Sequence, residues 1–264
     1  MVLEVRNLSH VYLSKQTATL ALENVSFSVH EGEFISLLGP SGCGKTTLLS
    51  IIAGLLKPSR GEIRMKGGSS LNEQQTGYML QQDYLFPWKT IEENIILGLK
   101  ISGRLDEEQK RRTLYLLKVM GLEGVEKLYP SQLSGGMRQR VALVRTLATN
   151  PELLLLDEPF SALDFQTKLT LENLVHQTLK QFQKTAILVT HDIGEAIAMS
   201  DRILLMTTRP GSIHREFSVP EELRRLPPFE SRNHPMFNPL FQMIWKELEN
   251  LETGSGHRTP SSAI

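Results

Sequence analysis

The 264-residue sequence has one cysteine, Cys43, so it can form no internal disulfide. It carries no excess charge of either sign: Lys+Arg and Asp+Glu both number 29. No single-sign field is therefore available to draw in nucleic acid or an anionic bilayer. No apolar run reaches the roughly 18–20 residues that a spanning helix needs. The N-terminus lacks a basic stretch followed by an apolar one, so no signal peptide is expected. These absences favour a cytosolic chain that is soluble by itself, with any membrane role supplied by a partner. The length allows one large α/β domain, or one domain with a small subdomain.

What is present centres on Gly39-Pro40-Ser41-Gly42-Cys43-Gly44-Lys45-Thr46-Thr47. The pattern is a phosphate-binding loop, and its flanks suit one. Phe34–Leu38 reads as a buried strand and Leu48–Ala53 as a helix closed by Gly54. Glycines let the backbone approach a phosphate, and successive N–H groups at a helix N-terminus form an anion site. Lys45 would reach the β- and γ-phosphates and Thr46 would place its hydroxyl on Mg²⁺. Cys43 reads as a small residue tolerated in the loop, not as a nucleophile.

Upstream, Val2 to Asn7 and Val25 to Val29 alternate as strands should. Tyr12 lies between them, either as a half-buried strand aromatic or as a ring able to stack on adenine. Downstream, Glu62–Lys66 reads as a short strand and Gly67–Ser70 as a loop. Gly77–Leu80 is a strand ending at Gln81, and either Gln81 or Gln82 could contact Mg²⁺ or water. Thr90 with Glu93 three residues later marks a helix start. Asp106–Met120 is a second helix, stopped by Gly121. This charged block, residues 90–132, interrupts the strand–helix alternation and reads as a helical subdomain. Leu133-Ser134-Gly135-Gly136-Met137 then opens another helix. Ser134 there is an ordinary N-cap or part of a second anion site.

Leu153–Leu156 is a continuous apolar run, as a central parallel strand should be, and it ends in Asp157-Glu158. Acids at the carboxyl end of a buried strand sit where open α/β sheets bind ligands. Asp157 would hold Mg²⁺ and Glu158 would orient or deprotonate the attacking water. Ser161-Ala162-Leu163-Asp164 continues this loop. Ala186–Thr190 is another buried strand, ending at His191, which could donate to a γ-phosphate. Asp201–Met206 and Ile213–Val219 are further strands around the Arg209-Pro210-Gly211 turn. After Pro220 prolines recur, and residues 220–253 read as a wrapping segment. Within it Asn238 is expected to cap a short amphipathic helix with Pro239 at its first position. Residues 254–264 have a disordered composition.

Taken in order, Gly39–Thr46, Gln81, Leu133–Met137 with Gln139, Leu153–Glu158 and His191 resemble the nucleotide-binding subunit of ATP-binding cassette (ABC) transporters. The resemblance covers about residues 1–219, and Leu-Ser-Gly-Gly is its discriminating element. It implies an α/β phosphate-loop ATPase core, a mixed sheet with N-terminal antiparallel strands, plus the helical subdomain at about residues 85–152. It implies ATP and Mg²⁺ as cofactors, with Thr46, Gln81 and Asp157 at the metal and Glu158, His191 and Gln81 in catalysis. It selects Gln81 over Gln82, lifts Tyr12 to adenine stacking and assigns Asp164 to a dimer-contact loop. It implies a head-to-tail dimer, in which the Ser134–Gly136 turn of one copy meets ATP on the other copy's phosphate loop. Met137 departs from the glutamine of many members, with the glycines intact.

Phe86-Pro87-Trp88, Arg209-Pro210-Gly211 and the tail look like the nitrate/sulfonate/taurine import subfamily. Permease subunits would then dock near Gln81–Trp88 at the cytoplasmic face of the membrane, with a solute-binding protein as an indirect partner and no nucleic acid. The alternative is a soluble ABC ATPase in DNA repair or translation. The coiled coils, zinc motifs or tandem cassettes usual in those are missing from the sequence.

Overall fold

The computed structural model describes residues 1–14, 16–66, 76–161, 163–208 and 210–254. The Gly67–Ser70 loop, Ala162, Arg209 and residues 255–264 fall outside them. The strands are β1 (Leu3–Leu13), β2 (Ala18–Val29), β3 (Phe34–Leu38), β4 (Arg60–Met65), β5 (Thr76–Met79), β6 (Leu153–Asp157), β7 (Thr185–Thr190), β8 (Arg202–Met206) and β9 (Ile213–Ser218). The helices are α1 (Lys45–Ile52), α2 (Ile91–Ile95), α3 (Leu97–Ile101), α4 (Glu107–Val119), α5 (Gly135–Ala148), α6 (Phe165–Gln181), α7 (Ile193–Met199), α8 (Glu221–Arg224), α9 (Pro228–Ser231) and α10 (Phe237–Gly254).

Two sheets result. β2-β1-β4 is an antiparallel three-stranded sheet. The six-stranded sheet runs β5-β6-β7-β3-β8-β9, parallel except for the last strand. The antiparallel N-terminal strands expected from the sequence are therefore a separate sheet, and β9 makes the larger one mixed.

Every residue of β3, β6 and β7 is buried, as strands covered on both faces must be. The two-residue period divides them between two cores. Leu154 and Leu156 face the core shared with α4, α5 and α6. Leu153 and Leu155 face α1 and the N-terminal sheet. A third core joins α7, β9 and α10 through Ile197, Phe217, Phe237, Leu240 and Ile244. β3, β7 and β6 are successive neighbours, so their carboxyl ends deliver Gly39, His191 and Asp157 to one edge of the sheet.

Two details of the C-terminal segment differ from the sequence expectation. The last helix runs 18 residues from Phe237 to Gly254, so it is not short. It also begins one residue before Asn238, so Asn238 lies inside its first turn. Pro239 fits there because first-turn N–H groups have no intrahelical acceptor. The buried Phe237 sets the start: it packs into the third core and its N–H bonds the carbonyl of His234 at 2.9 Å.

Candidate active site

The loop between β3 and α1 wraps around the Lys45 side chain. Gly44 has φ 93°, and a Cβ there would come 2.7 Å from Leu22 Cδ2. Only glycine meets both demands. Lys45 is nearly buried, and its Nζ donates to the carbonyls of Gly39 at 2.7 Å and Pro40 at 3.0 Å. The ammonium thus sits among the loop carbonyls, beside N–H groups suited to an anion. Burial pushes the Cys43 thiol up, against the pull of Lys45, which fits an inert packing residue. Gly211, from the β8–β9 turn, backs the loop: a Cβ there would stand 2.0 Å from the Cys43 carbonyl oxygen.

Tyr12 Oη lies 3.3 Å from Thr47 Oγ1, and its ring meets His10 edge-on at 4.6 Å. Tyr12 and Glu158 border a cleft of about 530 Å³ with Ser41, Gly42, Lys45 and Thr46. Its floor is cationic and its far wall carries an exposed aromatic, complementary to the anionic phosphates and the aromatic base of a nucleotide. Among the described residues, Ser134–Gly136 contribute nothing to this cleft.

At the end of β6, Asp157 is buried and accepts from Thr46 Oγ1 at 3.3 Å and Tyr78 Oη at 3.1 Å. Burial pushes its carboxyl up, and the two hydroxyls partly offset this. Oxygen donors from Thr46, Asp157 and Gln81 suit a hard cation such as Mg²⁺.

Glu158 adopts φ 46°, a costly region for a side-chain-bearing residue. Its N–H bonds the carbonyl of Val189 at 3.0 Å, and this places its carboxylate between two partners. His191 Nδ1 is 3.4 Å away and Gln81 Nε2 is 3.3 Å away. Three residues more than 30 positions apart thus meet at one point beside the cleft, and Gln81 is the glutamine that reaches it.

Ser134 is the N-cap of α5 and accepts from the N–H of Met137, as the capping reading has it. Asp164 caps α6 in the same way through Thr167. The two helix starts abut: a Cβ on Gly136 would lie 2.8 Å from Thr167 Cγ2.

The sequence reading missed how firmly α5 grips the segment after Gln81. Gln139 Nε2 donates to the Gln81 carbonyl at 3.3 Å, and Arg138 Nε pairs with Asp83 at 3.0 Å. Arg145 donates to the carbonyls of Asp83 at 2.6 Å and Tyr84 at 2.8 Å. The seven-residue spacing of Arg138 and Arg145 was a visible same-face signal, but their partners lie far off in sequence. Tyr78 was also missed; it sits one step from the end of β5, with burial pushing its phenol up.

A buried charge cluster ties α6 and α7 to the C-terminal segment. Lys168 Nζ lies 2.7 Å from Asp192 and 2.8 Å from Glu195, and Arg232 lies 2.6 Å from the fully buried Glu172. Burial pushes the Glu195 carboxyl up to about 7 despite Lys168.

Comparison with known proteins agrees with this geometry. Residues 22–161 match the family model described as ABC transporter. The chain is 62% identical over 251 residues to the uncharacterized ABC transporter ATP-binding protein YtlC of Bacillus subtilis, covering 95% of this chain and 96% of that one. It is 41% identical over 240 residues to the aliphatic sulfonates import ATP-binding protein SsuB of Bacillus cereus, covering 90% and 92%. Among solved structures it resembles a dimeric post-hydrolysis state of the ATP-binding cassette MJ0796 bound to ADP and phosphate. The TM-score is 0.72 at 35% identity, over 83% of this chain and 99% of that chain. A phosphate loop facing the buried Asp157 and the half-buried Glu158, within a sequence matched along nearly its whole length, leads to one conclusion: this chain belongs to the ABC transporter family, as an ATP-hydrolysing subunit.

Proposed function

We propose that this chain energises import of a small anionic solute, a sulfonate, nitrate, taurine or similar, through a membrane permease. The observation that carries the reading is Gln81. Its side chain touches Glu158 beside the cleft, while the residues just after it, Tyr84, Phe86 and Trp88, expose aromatic surface. An exposed aromatic group of this kind suits a protein partner. The grip of Gln139, Arg138 and Arg145 on the same segment gives α5 a direct mechanical link to it. The similarity to a sulfonate import subunit supports the anionic cargo.

In this mechanism the loop N–H groups and Lys45 bind the triphosphate, and Tyr12 stacks on adenine. Thr46, Asp157 and Gln81 would hold Mg²⁺, which would supply charge neutralisation at the phosphate oxygens. Glu158 orients the attacking water and takes its proton, and His191 both fixes the Glu158 carboxylate and faces the γ-phosphate. A second copy places Ser134–Gly136 against the nucleotide, and Asp164 lies in the contact loop between copies. ATP closes the pair and hydrolysis reopens it. Residues 85–152 carry the motion to the permease at the cytoplasmic face, and residues 220–253 wrap the core. No observation favours the DNA-repair or translation alternative.

The test is purification of the tagged chain from native membranes in mild detergent. Recovery of a multi-span permease whose ATPase is stimulated by a solute-binding protein is expected, and that protein's ligand names the cargo. Recovery of ribosomes or DNA alone would overturn the proposal.

A further inference from the structure

The C-terminal helix stands beside the nucleotide loops. α10 buries Phe237, Leu240 and Ile244 against α7 and its neighbours. Its shoulder carries Phe241 and Trp245, with nearly parallel rings at 11° and centroids 6.4 Å apart. Trp245 remains 52% exposed. These rings and Leu248 form one wall of a cleft of about 560 Å³; Gly39–Ser41 and His191–Ile193 form the other. The wall opposite α10 is thus the phosphate loop and the His191 turn, the face across which the proposed dimer closes.

Beside Asp164, which the dimer reading assigns to the contact loop, the chain offers an apolar projection. Phe165 directly follows the Asp164 cap of α6 and is 74% exposed. A solvated phenyl ring on a rigid helix start loses contact with water favourably when covered. Two-fold pairing repeats every contact, so one knob and one cleft per copy yield two seats.

We propose that Phe165 of each protomer seats in its partner's cleft between α10 and the phosphate loop, against Phe241 and Trp245. The inference rests on the dimer reading above. The C-terminal helix is then part of the closing interface: ATP-driven closure buries the Trp245 ring, and hydrolysis re-exposes it. The occupant is a second copy of this chain, because the cleft is continuous with the nucleotide-sandwich face.

The sequence supplies a clean reporter, since Trp88 and Trp245 are its only tryptophans. Trp88 is exposed, so full-length Trp88→Phe leaves Trp245 as the sole emitter. The measurement is acrylamide quenching with and without Mg²⁺ and a non-hydrolysable ATP analogue, with assembly followed by light scattering. We expect a blue shift and a quenching constant reduced about threefold on dimerisation. In the same background Phe165→Ala should remove the shift and weaken dimerisation about tenfold, as loss of an interface aromatic does. Alanine at Trp245 should weaken it similarly, with the double variant less than additive. A nucleotide-dependent dimer in which Trp245 stays as accessible as before overturns the inference, because the cleft is then left open in the closed pair. An unchanged shift in Phe165→Ala also overturns it. Failure to dimerise at all instead overturns the dimer reading beneath it.

Discussion

Replacing Arg232 by Met tests whether the C-terminal segment braces the active-site helices through buried charge. Glu172 on α6 is fully buried, and its nearest cation is Arg232, at 2.6 Å. Neither Glu172 oxygen accepts an aligned hydrogen bond, so charge does most of the holding. Lys168 is 3.9 Å away and already serves Asp192 and Glu195. Removing one partner of a buried pair costs about 3–5 kcal/mol. The distant lysine and the ease of protonating Glu172 place this case near the lower end, at about 3 kcal/mol. In a domain of this size that is a Tm drop of roughly 6–12 °C.

The sign with pH is fixed by burial, which pushes the Glu172 carboxyl up even with Arg232 present. Its folded state holds a proton more tightly than its unfolded state, so stability falls as pH rises through that window. Without the guanidinium the carboxyl moves further up, and a proton can replace the lost cation at low pH. Denaturant unfolding should therefore show a larger loss at pH 8 than at pH 5. Glu172→Gln added to the variant should recover most of the loss. A loss below about 1 kcal/mol at both pH values would refute the bracing role, since surface pairs contribute no more than that.

The other predictions concern the cleft. Glu158→Gln should keep ATP binding, lower turnover by at least about a hundredfold and accumulate an ATP-bound dimer. Unchanged phosphate release would remove Glu158 from the base role. Lys45→Ala should weaken ATP binding by roughly ten- to a hundredfold through loss of a charge-assisted donor; calorimetry showing ordinary affinity would count against the loop assignment. Tyr12→Ala should lose about 1 kcal/mol of ATP affinity while Tyr12→Phe keeps it, because a stacking face is what matters. Glu195→Gln should flatten the stability profile between pH 4.5 and about 7, where burial makes the parent less stable as pH rises.

Local chemistry was readable without any coordinates. The loop Gly39–Thr46 encodes its own conformation, because glycine placement dictates where the backbone can turn. Thr90 with Glu93 and Asp106 with Gly121 mark helix ends through bonds spanning three or four residues. The unbroken apolar runs of β6 and β7 announce strands buried on both faces. The same locality explains the misread start of α10: Asn238-Pro239 is a sound cap signal, but Phe237 follows the core.

Tertiary structure decided what meets what. The strand order brings Gln81, Glu158 and His191 to one point, and no spacing in the chain specifies that order. The clasp of Arg138 and Arg145 on Asp83–Tyr84 bridges 55 to 62 residues. The placement of α10 beside His191 comes from Phe237, Leu240 and Ile244 finding α7. The physical division is one of range: backbone sterics and capping act within a few residues and leave their mark in the sequence, whereas burial and charge pairing are settled only when distant segments pack.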